Sequence, residues 1–147
     1  MNHWQKREKA AALEQSGVVY ESKLYPGWTF KFYPVNSWSR PYAQAMVRVS
    51  EQPELAAYLK RTRDANYEPV EGDDALDRRL LVDTFAEGSL FGWEGVTDET
   101  GAAMPFDRDN ARKLLRHFRD LFHELSGIAR DPLKALDVDK AALAAGN

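Results

Sequence analysis

The sequence predicts an α+β fold, predominantly helical, with about four or five helices and one or two small antiparallel β-hairpins. Three observations carry that expectation. The run "WTFKFY" alternates Trp28, Phe30 and Phe32 with Thr29, Lys31 and Tyr33, the period of two that marks a half-buried strand. After Asp107 the apolar residues Ala111, Leu114, Leu115, Phe118, Leu121, Phe122 and Leu125 recur at helical spacing. A chain of 147 residues, 44% hydrophobic and 12% aromatic, fits one domain with its own core. The expected division is a charged N-terminal helix over 1–16, a core over 17–127 and a short helical or frayed tail over 128–147.

Each element has a local reason. Residues 2–15 are charged and Ala-rich, and Gly17 is placed to end their helix. Residues 18–24 and 28–35 read as two strands joined at Tyr25-Pro26-Gly27, a turn signal. Ser37 or Ser39 is placed to cap a helix running to Ser50, with Pro41 in its first turn. Pro53 opens a further helical stretch, expected to form one bent helix with the preceding one. Asp73 or Asp74 is placed to cap "ALDRRLLVDTFAE", whose apolar residues spread around the axis as in a central helix, and Gly88 to stop it. A tight turn between two short strands is expected at Asp98-Glu99-Thr100-Gly101. Asp107 then caps the last long helix, with Phe106 positioned to pack on its first turn.

Composition narrows the functional classes. A formal net charge of −3 argues against a dedicated nucleic-acid binder. The absence of cysteine excludes disulfides and thiolate metal sites and fits a cytoplasmic protein. No apolar run of signal-peptide length opens the chain, and none approaches the ~20 residues of a membrane span. There is no phosphate-binding glycine loop and no Gly-x-Ser-x-Gly elbow.

Three constellations remain. Arg108, Arg112, Arg116 and Arg119 line one side of the last helix, which reads either as a docking edge or as a solvated face balanced by Asp107, Asp109 and Asp120. His117, Asp120 and Glu124 share helical spacing that suits a divalent cation, yet their projected side faces solvent and an ion-pair cluster is the simpler reading. The aromatic strand beside Lys23, Lys31 and Arg40 offers stacking surface, although three aromatics on one face are commonly core.

The segment "LFGWEGVTDETGAAMPFDRDNARKLL" resembles the C-terminal half of tail assembly chaperones from long-tailed bacteriophages of the siphovirus and myovirus type. The matching order is a Trp-x-Gly-Val, an acidic glycine turn, a Pro-Phe pair, a polar cap and an amphipathic helix. Here those places are held by Trp93, Gly95, Val96, Asp98, Gly101, Pro105, Phe106, Asp107 and Asn110. The helix before it and the "SRPYAQAM" after the strand pair share the likeness. It spans roughly residues 28–125, is most specific over 80–115, and leaves the two ends of the chain outside.

The resemblance implies a non-enzymatic role with no catalytic residue, metal or cofactor. The expected partner is the tape measure protein, with the major tail tube protein second, self-association during assembly, and neither nucleic acid nor membrane. The expected place is the host cell cytoplasm during infection, with absence from the mature virion. Partner binding is expected at Trp28, Phe30, Phe32, Arg112 and Arg116, and a structural role for Trp93, Gly95, Gly101, Pro105, Phe106 and Asp107. Two other readings stand beside it. One is a virion component such as a head–tail connector or minor tail protein. The other is a small hydrolase or metal-dependent enzyme using His117, Asp120 and Glu124.

Overall fold

A computed structural model describes residues 1–35 and 39–144. Helix α1 (His3–Ser16) opens the chain. Asn2 and Gln5 cap it reciprocally, each side chain accepting from the other's backbone N–H at 2.9 Å, and Gly17 closes it with φ 80°. Strands β1 (Val18–Glu21) and β2 (Thr29–Phe32) then form an antiparallel hairpin with Phe30 opposite Tyr20. Both are shorter than the expected 18–24 and 28–35.

Helix α2 (Arg40–Ser50) is followed by α3 (Pro53–Thr62). They are two helices, because Gln52 precedes a proline and takes ψ 131°, outside the helical region. Ser39 stands at the start of α2 without a side-chain cap bond, and Ser37 lies outside the described residues. Helix α4 (Asp73–Gly88) is central, packed by α2, α3 and the later elements β3 (Leu90–Glu94) and α5 (Arg108–His117). Gly72, not Asp73 or Asp74, precedes its first turn. The helix runs through Gly88, where a Cβ would stand 2.8 Å from Ala45 Cβ and Tyr42 Cα, so the close crossing with α2 requires glycine.

Among the described residues there are eight helices and one three-stranded sheet of order β1-β2-β3, which corrects the expected four or five helices with one or two hairpins. The extra helices come from breaks that helical periodicity alone does not reveal. The last long helix is two, α5 and α6 (Arg119–Ala129), because Phe118 leaves the helical region at φ −101°, ψ 78°. Its ring meets Tyr25 and Trp28 edge-on at 5.1 and 5.3 Å. The tail forms α7 (Pro132–Val138) and α8 (Lys140–Ala144), with α7 packed on α1. Asp139 joins this tail to the sheet: it accepts from Ala142 N at 2.9 Å and from Val19 N, on edge strand β1, at 2.8 Å. The sheet gains its third strand because β3 pairs with β2, setting Trp93 opposite Phe30. Phe30, Phe32, Phe85, Leu115, Leu121 and Leu125 are fully buried in the core between sheet and helices.

Candidate functional site

The segment after β3 is built around one indole. Trp93 is buried and its Nε1–H donates to the Met104 carbonyl at 2.8 Å. Its ring lies edge-on to Phe30 at 6.3 Å and to Phe106 at 4.9 Å. Phe106 therefore helps hold Trp93 in place. Gly95, at φ 80°, lies under the hairpin turn, and a Cβ there would stand 2.1 Å from the Gly27 carbonyl oxygen.

A bridge between Thr97 and Ala103 closes the small loop that follows. Asp98 organises it, accepting from Thr100 N at 2.8 Å, Thr100 Oγ1 at 2.6 Å and Ala102 N at 3.1 Å. The Thr100 bonds hold the Asp98 carboxyl below its usual range. Gly101 takes φ 84° to finish the turn. Asp107 accepts from Asn110 N at 2.7 Å, and Asn110 donates to the Pro105 carbonyl at 2.9 Å, which fixes the entry into α5.

Between this segment and α5 lies a groove of about 810 Å³. Trp28, Met104, Leu114 and Phe118 are its apolar lining; Asp98 and Glu99 come from the loop and Lys113 and His117 from α5, with Lys113 Nζ 3.9 Å from Glu99 Oε1. Trp28 is half-buried and stacked on Tyr25 at 5.2 Å. The five residues expected to bind a partner separate here. Trp28, Arg112 and Arg116 line the groove. Phe30 and Phe32 do not, since both are 0% exposed and belong to the core.

The arginines are less free than a docking edge requires. Arg116 donates from Nε to Asp83 at 2.9 Å, and the pair holds its pKa above the ordinary arginine value. Arg112 is bound by Glu87 and Asp109. Asp83 is fully buried, so these ion pairs fasten α5 to α4. Sequence reasoning missed both acidic partners. The available signal was a pair of matching rows: Asp83 and Glu87 four apart on the central helix, Arg112 and Arg116 four apart on the last one.

His117, Asp120 and Glu124 do not come together as a ligand set. The break at Phe118 removes the continuous helix on which their projection depended. Glu124 faces the hairpin rather than solvent, accepting from Tyr20 Oη and Ser22 Oγ at 2.6 Å each and from Lys23 N at 2.8 Å. Asp120 accepts from Tyr25 Oη at 2.7 Å. Burial and then the Glu124 bond push the Tyr20 phenol well above the ordinary tyrosine range; the Asp120 bond and then burial raise that of Tyr25. Among the described residues no group of three or more His, Cys, Asp or Glu could hold a metal ion.

Residues 39–146 match the protein family described as YdaY prophage protein. No curated protein and no solved structure matches the chain. The family match spans most of the chain, including the Trp93 segment and every helix from α2 onward, and the chain belongs to this family of prophage proteins. It is a phage-derived protein.

Proposed function

We propose that this member of the YdaY prophage protein family is a non-enzymatic tail assembly chaperone that holds the tape measure protein until tail tube subunits surround it. The observation that carries the reading is the groove beside the Trp93 segment, lined by the apolar residues Trp28, Met104, Leu114 and Phe118 among charged side chains. A groove of about 810 Å³ suits a few side chains of an amphipathic helix, with alternate apolar anchors in the floor and polar residues against Asp98, Glu99 and Lys113. A tape measure protein is long and helical. Before the tube forms, its apolar surface would aggregate if left uncovered. A chaperone of net charge −3 keeps such a complex dispersed.

The resemblance of the 90–115 segment to tail assembly chaperones and the prophage family both support this reading. So does the use of Asp120 and Glu124 as acceptors for the hairpin, which leaves the His117 set without free carboxylates for catalysis. The proposed setting is the host cytoplasm during infection, with the chain left out of the finished particle.

Co-expression with the phage's tape measure protein tests the proposal. The expected result is a soluble complex recovered by size exclusion, lost when Trp28→Ala and Lys113→Glu, both at the groove surface, are introduced together. An equally insoluble tape measure protein with and without the chain overturns it. Stoichiometric copies of the chain in purified particles would instead assign it to the virion structure.

A further inference from the structure

Two further surfaces are unmatched among the described residues, one of them bordering the Trp28 groove at Arg116. The first is a cleft of about 230 Å³ between α4 and α6, lined by Ala75, Arg78, Leu81, Val82, Arg119 and Phe122 among others. Arg79 and Arg116 on its border are engaged by Glu54 and Asp83. Arg78 and Arg119 are exposed, and neither finds an acidic partner among the described residues. Leu81 lies open at 38% exposure. The cleft thus offers an apolar floor between two free guanidinium groups.

The second surface is the loop 66–72 before α4. Val70 is 59% exposed and stands between Glu68 and Glu71, neither of which meets a cation among the described residues. The backbone that displays it is held in place. Buried Asp73 accepts from Tyr67 Oη at 2.6 Å and from Val70 N at 3.1 Å, and pairs with Arg61 at 2.5 Å. Pro69 fixes its own φ. The loop therefore presents one apolar side chain between two carboxylates on a preorganised backbone.

We propose that two copies of this chain pair by placing the 66–72 loop of each in the α4–α6 cleft of the other. Val70 packs on Leu81 and Phe122, while Glu68 and Glu71 meet Arg78 and Arg119. The loop leads into the first turn of α4, and the cleft takes Ala75, Arg78, Leu81 and Val82 from further along the same helix. Pairing about a two-fold axis would set each loop against the other's cleft, so every contact is made twice. A nucleic-acid ligand fits less well. The chain carries a net charge of −3, the cleft has two unpaired arginines, and its floor is apolar. The pairing does not depend on the partner proposed for the Trp28 groove.

Sedimentation velocity of the full chain tests it. A reversible dimer is expected at low salt, weakened at least about tenfold in high salt because its contacts are charged and peripheral. Glu68→Lys/Glu71→Lys and Arg78→Glu/Arg119→Glu should each shift the chain to monomer, and mixing the two variants should restore a heterodimer. Arg7→Glu, on exposed α1, should leave the dimer unchanged. The chain remaining monomeric up to about 1 mM overturns the proposal, since that exceeds the range of even a weak specific contact. A dimer that keeps its strength in the loop variant also overturns it, and that variant leaves the cleft intact if the arginine variant misfolds. Binding of a single-stranded oligonucleotide that requires Arg78 and Arg119, with no dimer formed, would assign the cleft to phosphate instead.

Discussion

Trp93 and Trp28 sit on opposite sides of one contact and do different work. Trp93 is 9% exposed, satisfies its indole N–H on Met104, and is held edge-on by Phe30 and Phe106. Trp28 is half-buried, stacks on Tyr25, and turns one face into the groove. Both belong to aromatic clusters of similar size. The difference is closure: the chain encloses nearly all of Trp93, so its burial stabilises the fold, whereas Trp28 keeps surface that a partner can cover. The two clusters meet where Gly95 passes under Gly27.

The largest test of this difference is Trp93→Ala. Removing a large buried aromatic and orphaning the Met104 carbonyl should cost about 3–5 kcal/mol, read from urea unfolding. Trp93→Phe should recover part of the loss but not the hydrogen bond. A variant with unchanged stability would mean that Trp93 is a surface residue and would erase the contrast.

Gly95→Ala tests the junction between the clusters. The new methyl meets a carbonyl oxygen at 2.1 Å and the backbone is already at φ 80°. The expected loss is about 2–3 kcal/mol, combining overpacking with left-handed strain. Gly101→Ala is the control, since Gly101 has φ 84° but open space around it, and should lose only about 1 kcal/mol. Equal losses at the two positions would show that conformation alone matters and that the clusters do not press on each other.

Much of this contrast was legible in the sequence, and the reason for the rest is physical. The Gly-Trp-Glu-Gly run and the acidic turn point to a tight, aromatic-pinned segment because local backbone needs leave local signatures. The pairing of β3 with β2 leaves none, since strand partners distant in sequence are chosen by packing and not by spacing. The break at Phe118 is hidden for the same cause. Phe118 continues the helical apolar stripe, yet its backbone leaves the helix where its ring meets Tyr25 and Trp28. Arg112 and Arg116 look like a free edge until Glu87 and Asp83 are placed opposite them. Phe30 and Phe32 show the limit of the period-two pattern: it identifies a face, and the third strand and the helices decide that the face is closed.

Trp28→Ala should cost about 1–2 kcal/mol, less than Trp93→Ala or Gly95→Ala, because its ring is only partly buried. Its effect should appear in partner capture, where loss of the groove's aromatic anchor is expected to weaken binding at least tenfold. A fall in stability equal to that of Trp93→Ala, with binding intact, would reverse the assignment of the two indoles.

The finest separation comes from alkaline pH, because only one of the two clusters carries titrating phenols. Tyr25 is stacked on Trp28 and donates to Asp120, which raises its pKa; Tyr20, one strand away, is raised by burial and by Glu124. The Trp93 cluster contains tryptophan and phenylalanine alone. A phenol whose folded pKa lies above its unfolded value contributes stability that is complete below the ordinary tyrosine pKa of about 10. That contribution is lost as pH rises from there toward the folded value. Tyr67, pushed up to about 12 chiefly by its bond to Asp73, adds an alkaline loss of its own at the far end of α4, so global stability mixes several regions. The local readout is the pair of indole fluorine resonances in fluorotryptophan-labelled protein, which do not exchange with water. Above about pH 10, the Trp28 signal should shift as Tyr25 ionises, while the Trp93 signal holds its position until the whole domain unfolds. Tyr25→Phe should remove the Trp28 shift and leave Trp93 unaffected. If the two resonances move together in the wild-type chain, the hairpin turn and the Trp93 segment are one cooperative unit, and the division between a folding tryptophan and a binding tryptophan fails.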